Sequence, residues 1–189
     1  MRIWVVAFVA FLAAPGGPVL AQQVSPGGVK TLSPEGAIKP TGTWNLGTRS
    51  GDFVFIAGMR GIDPKTNSLV QGDEARVKQA FLNMKLIAES EGASLQDAVR
   101  LVVYVTDMFR FRPLVNKAQE ELWGKGPYPP RTIVEVHRLN QDDIVEVEGT
   151  FYAPERRGTS GAAPQADPQH EALAREFLQW LDRQGWTGR

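Results

Sequence analysis

Four charged side chains near the carboxyl end of the sequence occupy alternate positions in two segments that are otherwise rich in β-branched residues. They are Arg131, Glu135, Glu146 and Glu148. Because successive side chains of a strand point to opposite faces, each pair is expected to lie on one face of its strand. The two strands are expected to adjoin, so that the four side chains share one surface. A guanidinium can hold a small carboxylate through two parallel hydrogen bonds, and a nearby carboxylate can orient a water or exchange a proton. The pattern therefore predicts a site at which a small carboxylic acid is hydrolysed.

The same pattern fits a solvated sheet face that carries cross-strand ion pairs, a common use of charged residues on strands. Two features favour a site. Arg131 directly follows Pro129 and Pro130, which restrict its backbone. In addition, helices are expected to cover the other face of the sheet, which leaves the charged face for solvent or another subunit. From the residues alone, both interpretations remain open.

The elements expected to position these residues begin with a short apolar strand at Phe53–Ala57, closed by Gly58. A helix is predicted for Glu74–Glu91, because its apolar side chains recur at helical spacing. Asp73 is the predicted N-cap, and Gly92 stands where a C-terminal cap belongs. This half of the domain is therefore expected to supply a strand and a covering helix.

A further strand and helix follow, and then a pair of strands. Val99–Thr106 is rich in β-branched residues, and the next helix is predicted to begin near Pro113 and to end at Gly124. The segments Arg131–Arg138 and Ile144–Tyr152 are joined by a linker short enough for an antiparallel hairpin. This order predicts an α+β domain in which two helices pack on one face of a mixed sheet.

The ends of the chain differ in composition from this domain. Residues 1–21 have the pattern of a secretory signal: an early positive charge, an apolar run too short to span a bilayer, and a small-residue cleavage motif. We therefore expect an exported protein, periplasmic or secreted, without stable membrane association after cleavage. Residues 22–41 are expected to form an extended lead-in to a domain at 42–154, which a polar linker at 155–167 and an amphipathic helix at 168–185 follow.

Composition argues against several classes of function. The chain has 189 residues with 21 basic and 21 acidic side chains, and this balance lacks the basic excess that nucleic-acid binding needs. The absence of cysteine excludes a disulfide framework, a thiolate metal site and a cysteine nucleophile. The histidines, His137 and His170, are too far apart in sequence for a ligand motif, so no metal site is predicted.

Several short motifs within residues 36–154 are specific in combination: Gly51–Gly58, Ile62–Thr66, Val105–Met108, and Pro130–Val136 with Leu139 and Val145–Glu148 behind it. Together they resemble the RidA/YjgF family of reactive imine deaminases. The resemblance implies a chorismate-mutase-like α+β fold assembled as a homotrimer, in which the sheets form a central barrel and the sites lie in clefts between subunits. It also implies hydrolysis of a 2-imino acid, or its enamine tautomer, to a 2-oxo acid and ammonia, with no cofactor and no metal.

The resemblance assigns roles to particular residues. Arg131, in the Pro-Arg-Thr segment, is expected to clamp the substrate carboxylate, and Glu146, the first glutamate of Glu-Val-Glu, to position the water. The backbone at Gly58 is expected to line the pocket. Trp44 stands where the family usually has a tyrosine that covers the pocket.

Other positions depart from the family pattern. Arg60 is expected to bring a second guanidinium towards the pocket, and Ile133 replaces a cysteine often found two residues after the clamp arginine. Together with Trp44, these changes leave the substrate open. They also support an alternative function, in which a non-catalytic homotrimer binds a small carboxylate metabolite in its clefts.

Overall fold

A computed structural model of the protein describes residues 23–154, 175–180 and 183–185. The described residues up to Pro154 belong to one compact unit, and those of the tail belong to a second. The predicted signal at 1–21 and the predicted linker at 155–167 lie outside the described residues.

The described part of the tail falls within the predicted helix at 168–185. Residues 175–180 are helical and exposed, and the rings of Phe177 and Trp180 stack with their centres 6.1 Å apart. The rest of that predicted helix, apart from 183–185, lies outside the described residues. No helix in the described ranges is both long enough and apolar enough to cross a membrane.

The main unit is built on a six-stranded mixed sheet with two α-helices packed on one face. In chain order its elements are β1 Lys30–Leu32, β2 Gly47–Ser50, β3 Phe53–Arg60, β4 Ile62–Asp63, β5 Ser68–Leu69, α1 Asp73–Ser90, β6 Ala98–Val105, α2 Met108–Trp123, β7 Arg131–Glu135 and β8 Val145–Tyr152. The sheet has the order β1-β2-β3-β8-β6-β7, while β4 and β5 form a separate ribbon. Only β6 and β7 are parallel among these pairs. The predicted α+β class is confirmed.

The predicted antiparallel hairpin between the last two strands is wrong, because β6 lies between β7 and β8. The parallel pairing of β6 with β7 follows from α2, which carries the chain across one face of the sheet as the crossover of a β-α-β unit. After β7 the chain passes the end of β6 on its way to β8. There the Val136 amide donates to the Val105 carbonyl, and the Thr106 amide donates to the Ile144 carbonyl. β7 also ends at Glu135, short of the predicted boundary at Arg138.

The sheet has a covered face and an open face. Side chains on the covered face, such as Leu101, Val103 and Val105 of β6, are fully buried beneath the helices. α1 contributes Phe81, whose ring meets that of Trp123 on α2 edge-on, with the ring centres 6.2 Å apart. Because full burial of such an apolar side chain contributes about 1.5–3 kcal/mol, the covered face is a main source of stability.

The starts of both helices differ from the sequence prediction. Gly72, not Asp73, is the N-cap of α1, since the chain enters the helix at a φ of 85°, which glycine adopts without steric cost. α2 begins at Met108 rather than near Pro113, because the side chain of Asp107 caps the helix by accepting a backbone hydrogen bond. Pro113 lies inside α2, where it removes one backbone hydrogen bond. Burial of one side of α2 offsets that loss.

A buried asparagine fixes the end of β3, next to the cavity described below. Asn83 of α1 is 4% exposed, and its amide donates to the carbonyls of Arg60 at 2.9 Å and Ile62 at 2.7 Å. Between these carbonyls, Gly61 has no side chain, and a Cβ there would overlap Arg76 of α1. The contact between α1 and β3 therefore sets the position of Arg60.

Asn83→Ala is expected to destabilise the protein by about 2–4 kcal/mol, because two buried carbonyls lose their donor and each orphaned group costs about 1–3 kcal/mol. Urea unfolding at fixed protein concentration measures this difference. Asn45→Ala changes an exposed amide and serves as the control; it should alter stability by less than about 0.5 kcal/mol. Equal stabilities of the two variants would contradict the role given to Asn83.

Candidate functional site

Glu146 lies in a cavity of about 260 Å³ at the open face of the sheet. The walls of this cavity are formed by Ile38, Trp44, Ala57, Gly58, Arg60, Asn140 and Glu146 itself. The structure thus brings four of the predicted site residues into one cavity: Trp44, Gly58, Arg60 and Glu146. Apolar walls that carry a few placed polar groups are typical of small-molecule sites.

A bulge in β3 shapes one wall of this cavity. The pairing of β3 with β8 shifts register between Ile56 and Met59, so that Ala57 and Gly58 together oppose one residue of β8. A Cβ at position 58 would overlap the carboxylate of Glu146. The bulge and the glycine therefore allow the carboxylate to lie directly against the backbone of β3.

Burial and three charged groups set the protonation of Glu146. Burial raises the pKa of Glu146 above its ordinary value, because removal from water favours the neutral carboxyl. The positive charge of Arg60 lowers that pKa, whereas the negative charges of Glu148 and Asp143 raise it. Tyr104 of β6 stands opposite Glu146, and burial, Glu148 and Glu146 raise the pKa of this tyrosine. A carboxylate with a raised pKa is better matched to proton exchange near neutral pH.

Arg60 is a buried cation at the edge of this cavity. The residue is 5% exposed; its Nη1 donates to the backbone carbonyl of Asn140 at 2.7 Å, and its Nη2 donates to Oε1 of Gln141 at 3.0 Å. Arg60 stands opposite Glu146 in the register of β3 and β8, yet no ion pair joins them in the described part of the chain. The guanidinium is therefore held by neutral acceptors close to the carboxylate.

Arg131 lies in a second cavity, of about 290 Å³, between α2 and the edge strand β7. Its lining consists of Asn116, Gln119, Glu120, Tyr128, Pro129 and Arg131. The Nη1 of Arg131 donates to Oε1 of Gln119 at 2.7 Å, and the Nη2 donates to Oδ1 of Asn116 at 2.8 Å. These bonds fix the plane of the guanidinium in the cavity.

The charge of Arg131 is not neutralised by these contacts, because both acceptors are uncharged amides. No carboxylate among the described residues forms an ion pair with it. Burial, followed by repulsion from Arg112, lowers the pKa of Arg131, although an arginine remains protonated in proteins. An oriented and unpaired guanidinium is suited to receive a carboxylate through two hydrogen bonds.

Arg131 and Glu146 lie on opposite faces of the sheet within one chain. Arg131 is paired with Leu101 of β6, which is buried beneath the helices, whereas Glu146 is paired with Tyr104 on the open face. The prediction that the two groups share one face of adjoining strands is therefore wrong. The alternation of side chains along a strand shows which residues of that strand share a face. It does not show which faces of β7 and β8 lie on the same side of the sheet, because that depends on how each strand pairs with β6, which lies between them.

Ile133 lies on the same side of β7 as Arg131 and packs against the hydrophobic core. It lines neither of the two cavities described above.

Sequence reasoning missed Asn116 and Gln119, the amides that hold Arg131. Asn116 and Gln119 are three residues apart and so lie on one side of α2, the helix that precedes β7. This spacing was the signal in the sequence that could have identified them. In the described ranges, no cluster of histidine, aspartate and glutamate could hold a metal ion.

The fold and its cavities define an α+β protein with the architecture of the RidA/YjgF proteins. The profile of the family described as Endoribonuclease L-PSP matches residues 34–152. The chain belongs to this family, that of RidA and YjgF.

Individual relatives agree with this assignment. A solved structure from Rhodopseudomonas palustris, described as a probable translation initiation inhibitor, is 54% identical with a TM-score of 0.65, covering 67% of this chain and 98% of that one. A RutC family protein of Pyrococcus horikoshii is 40% identical over 119 residues, or 62% of this chain and 93% of the relative. The 2-iminobutanoate/2-iminopropanoate deaminase of Salmonella typhimurium is 32% identical over 121 residues, or 63% and 94%. The family and fold read from the sequence motifs are confirmed.

Proposed function

We propose that the protein hydrolyses reactive 2-imino acids, or their enamine tautomers, to 2-oxo acids and ammonia at sites shared between copies of the chain in a homotrimer. The observation that carries the proposal is the pair of cavities, one with the unpaired guanidinium of Arg131 and the other with the half-buried carboxylate of Glu146. The name of the Salmonella typhimurium relative supports this class of reaction.

A second copy of the chain is needed because one chain places the two groups on opposite faces of its sheet. The open face carries the apolar side chains of Phe53, Phe55 and Tyr152, which are 40%, 45% and 45% exposed. Clustered apolar side chains on a surface are a mark of protein–protein interfaces. In the proposed trimer, the open faces pack on one another, and the β7 edge of each copy meets the Glu146 cavity of the next.

In the proposed reaction, the substrate carboxylate binds Arg131, and Glu146 of the neighbouring copy accepts a proton from a water molecule. The water oxygen attacks the imine carbon while Glu146 passes the accepted proton to the imine nitrogen, which gives a neutral tetrahedral carbinolamine. Glu146 then accepts the proton of the carbinolamine hydroxyl and transfers it to the amino group. Collapse of the carbinolamine breaks the carbon–nitrogen bond, releases ammonia and leaves the carbonyl of the 2-oxo acid.

The experiment that tests this function follows ammonia release from 2-iminopropanoate and 2-iminobutanoate, each generated in the assay by an amino-acid oxidase. The full chain and the chain without residues 1–21 should both accelerate release over the spontaneous rate. Equal rates with and without protein, across a panel of amino-acid-derived imines, would remove the proposal. Saturable binding of a 2-oxo acid without turnover, retained in Glu146→Gln, would instead favour the non-catalytic carboxylate binder.

Gly58→Ala is expected to lower kcat/KM for imine hydrolysis by about a hundredfold, since the added methyl displaces the Glu146 carboxylate and a misplacement of about 1 Å can cost this much. Steady-state ammonia release measures the effect. Gly27→Ala is the matched control, because an added Cβ there has its nearest neighbour 3.9 Å away. Wild-type kinetics in a folded Gly58→Ala variant would contradict the proposed role of the carboxylate.

A further inference from the structure

We infer that Arg60 is a positioning residue that keeps Glu146 in its ionised, water-orienting form, and that it acts through its charge rather than through direct contact. The inference rests on the proposed function, in which Glu146 accepts a proton from water. Arg60 departs from the family pattern, and the guanidinium that it brings to the cavity is buried.

The register of the sheet places Arg60 next to Glu146. The two residues are cross-strand partners on β3 and β8, and they line the same cavity. Side chains paired in this way start from Cβ atoms about 4.5–5.5 Å apart. The carbonyl of Asn140 and the amide of Gln141 hold the Arg60 guanidinium in place at 2.7 Å and 3.0 Å. Its charge is therefore fixed near the carboxylate and is not free to swing into solvent.

Apart from Arg60, the charged groups that face Glu146 favour its neutral form. Glu148 lies on the same face of β8, Asp143 lies in the loop just before that strand, and both are negative when ionised. Tyr104 faces Glu146 from β6 and is uncharged at neutral pH. Burial acts in the same direction as the two carboxylates, and Arg60 is the group that lowers the pKa of Glu146.

A second cation in this neighbourhood is engaged elsewhere. Arg76 of α1 approaches Asp143, with an Nη1–Oδ1 distance of 3.9 Å, and donates to the carbonyl of Val70 at 2.8 Å. Arg76 therefore offsets the charge of Asp143 from the helix side. Burial raises the pKa of Glu146, and the electrostatic field that opposes this rise comes from Arg60. Because Arg60 is buried and Glu146 is half-buried, such a field is screened less than it is in water.

A purely structural Arg60 would behave differently. It would act by anchoring the loop at Asn140 and Gln141, so its loss would change stability or KM without changing the titration of Glu146. The charge hypothesis predicts that a neutral residue at position 60 raises the pKa of Glu146. A lysine at that position should largely restore the wild-type value, because it retains the positive charge.

The direct test is a titration of Glu146 by ¹³C NMR of labelled carboxyl groups, with the signal assigned by its loss in Glu146→Gln. In Arg60→Gln the pKa of Glu146 should rise by about one unit or more, because an opposite charge at this range typically lowers a carboxyl pKa by about 1–3 units. Arg60→Met is a second neutral variant, should Arg60→Gln not fold. Arg138→Gln, which removes an exposed cation from the same loop, should leave the pKa unchanged. An unchanged pKa in either folded neutral variant would overturn the inference.

The dependence of kcat/KM on pH tests the same effect of Arg60 on Glu146 by kinetics. Since the base must be deprotonated, kcat/KM falls as the pH drops through the pKa of Glu146, and this acidic limb should move to higher pH in Arg60→Gln but not in Arg60→Lys. The NMR titration requires no turnover. Absence of ammonia release by the wild type would therefore refute the proposed function, while the titration would still decide whether Arg60 sets the ionisation of Glu146.

Discussion

Arg131→Ala is expected to lower kcat/KM for imine hydrolysis by at least about a hundredfold, because truncation of one partner of a buried, hydrogen-bonded charge pair costs about 2–5 kcal/mol. Hydrogen bonds of 2.7 Å to Gln119 and 2.8 Å to Asn116 already orient the guanidinium. The Arg131 side chain therefore loses little further conformational freedom when a carboxylate binds. Arg131→Lys should recover only part of the loss, since an ammonium cannot bond both carboxylate oxygens in one plane.

The matched control for this variant is Arg110→Ala. Arg110 also lies near the covered face, on α2, but its side chain is 64% exposed and pairs with Asp73 at the surface. Surface ion pairs of this kind contribute about 0–1 kcal/mol, so kinetics should remain close to those of the wild type. If Arg131→Ala and Arg110→Ala hydrolyse imines equally well, Arg131 is not the carboxylate clamp.

Glu146→Gln is expected to lower kcat by about 10²–10⁴-fold, the usual contribution of a positioned general base, while KM changes little. Glutamine preserves the shape of the side chain and cannot accept the proton from water. Stability at neutral pH should not fall. A carboxyl whose pKa is raised by folding contributes less stability as the pH rises through that pKa, and the amide avoids this loss.

Glu121→Gln is the control for this substitution. Its side chain is exposed and pairs with Lys78 at 2.8 Å on the helix surface. Turnover should be unaffected, and thermal unfolding of the two variants separates a catalytic loss from misfolding. A folded Glu146→Gln variant with wild-type kcat would show that another group activates the water.

Much of the main unit could be predicted from local patterns. The apolar spacing of α1 and the β-branched composition of β6 each report contacts within one element, so these elements and the α+β class were found. The motifs also pointed to Trp44, Gly58, Arg60 and Glu146, which the structure places around one cavity. Here the family resemblance added information that periodicity did not contain.

The rest depended on contacts between segments that are distant in sequence. The linker before β8 is compatible with a hairpin, and nothing in its length shows that β6 occupies the place between β7 and β8. The early start of α2 was hidden by Pro113, whose local preference is outweighed by the Asp107 cap and by burial. The amides of Asn116 and Gln119 resemble ordinary helix surface until Arg131 is seen to contact them.

The measurement that tests the central claim most directly is complementation between two inactive variants. Arg131→Ala and Glu146→Gln chains are mixed, unfolded and refolded together at equal amounts, and ammonia release is compared with that of each variant refolded alone. If each site takes Arg131 from one copy and Glu146 from its neighbour, random assembly of a closed ring restores about a quarter of the sites, and activity returns to about that fraction of the wild type. If both groups act from the same chain, every site in the mixture keeps a defect, and the absence of recovery in properly assembled mixed oligomers would contradict the account.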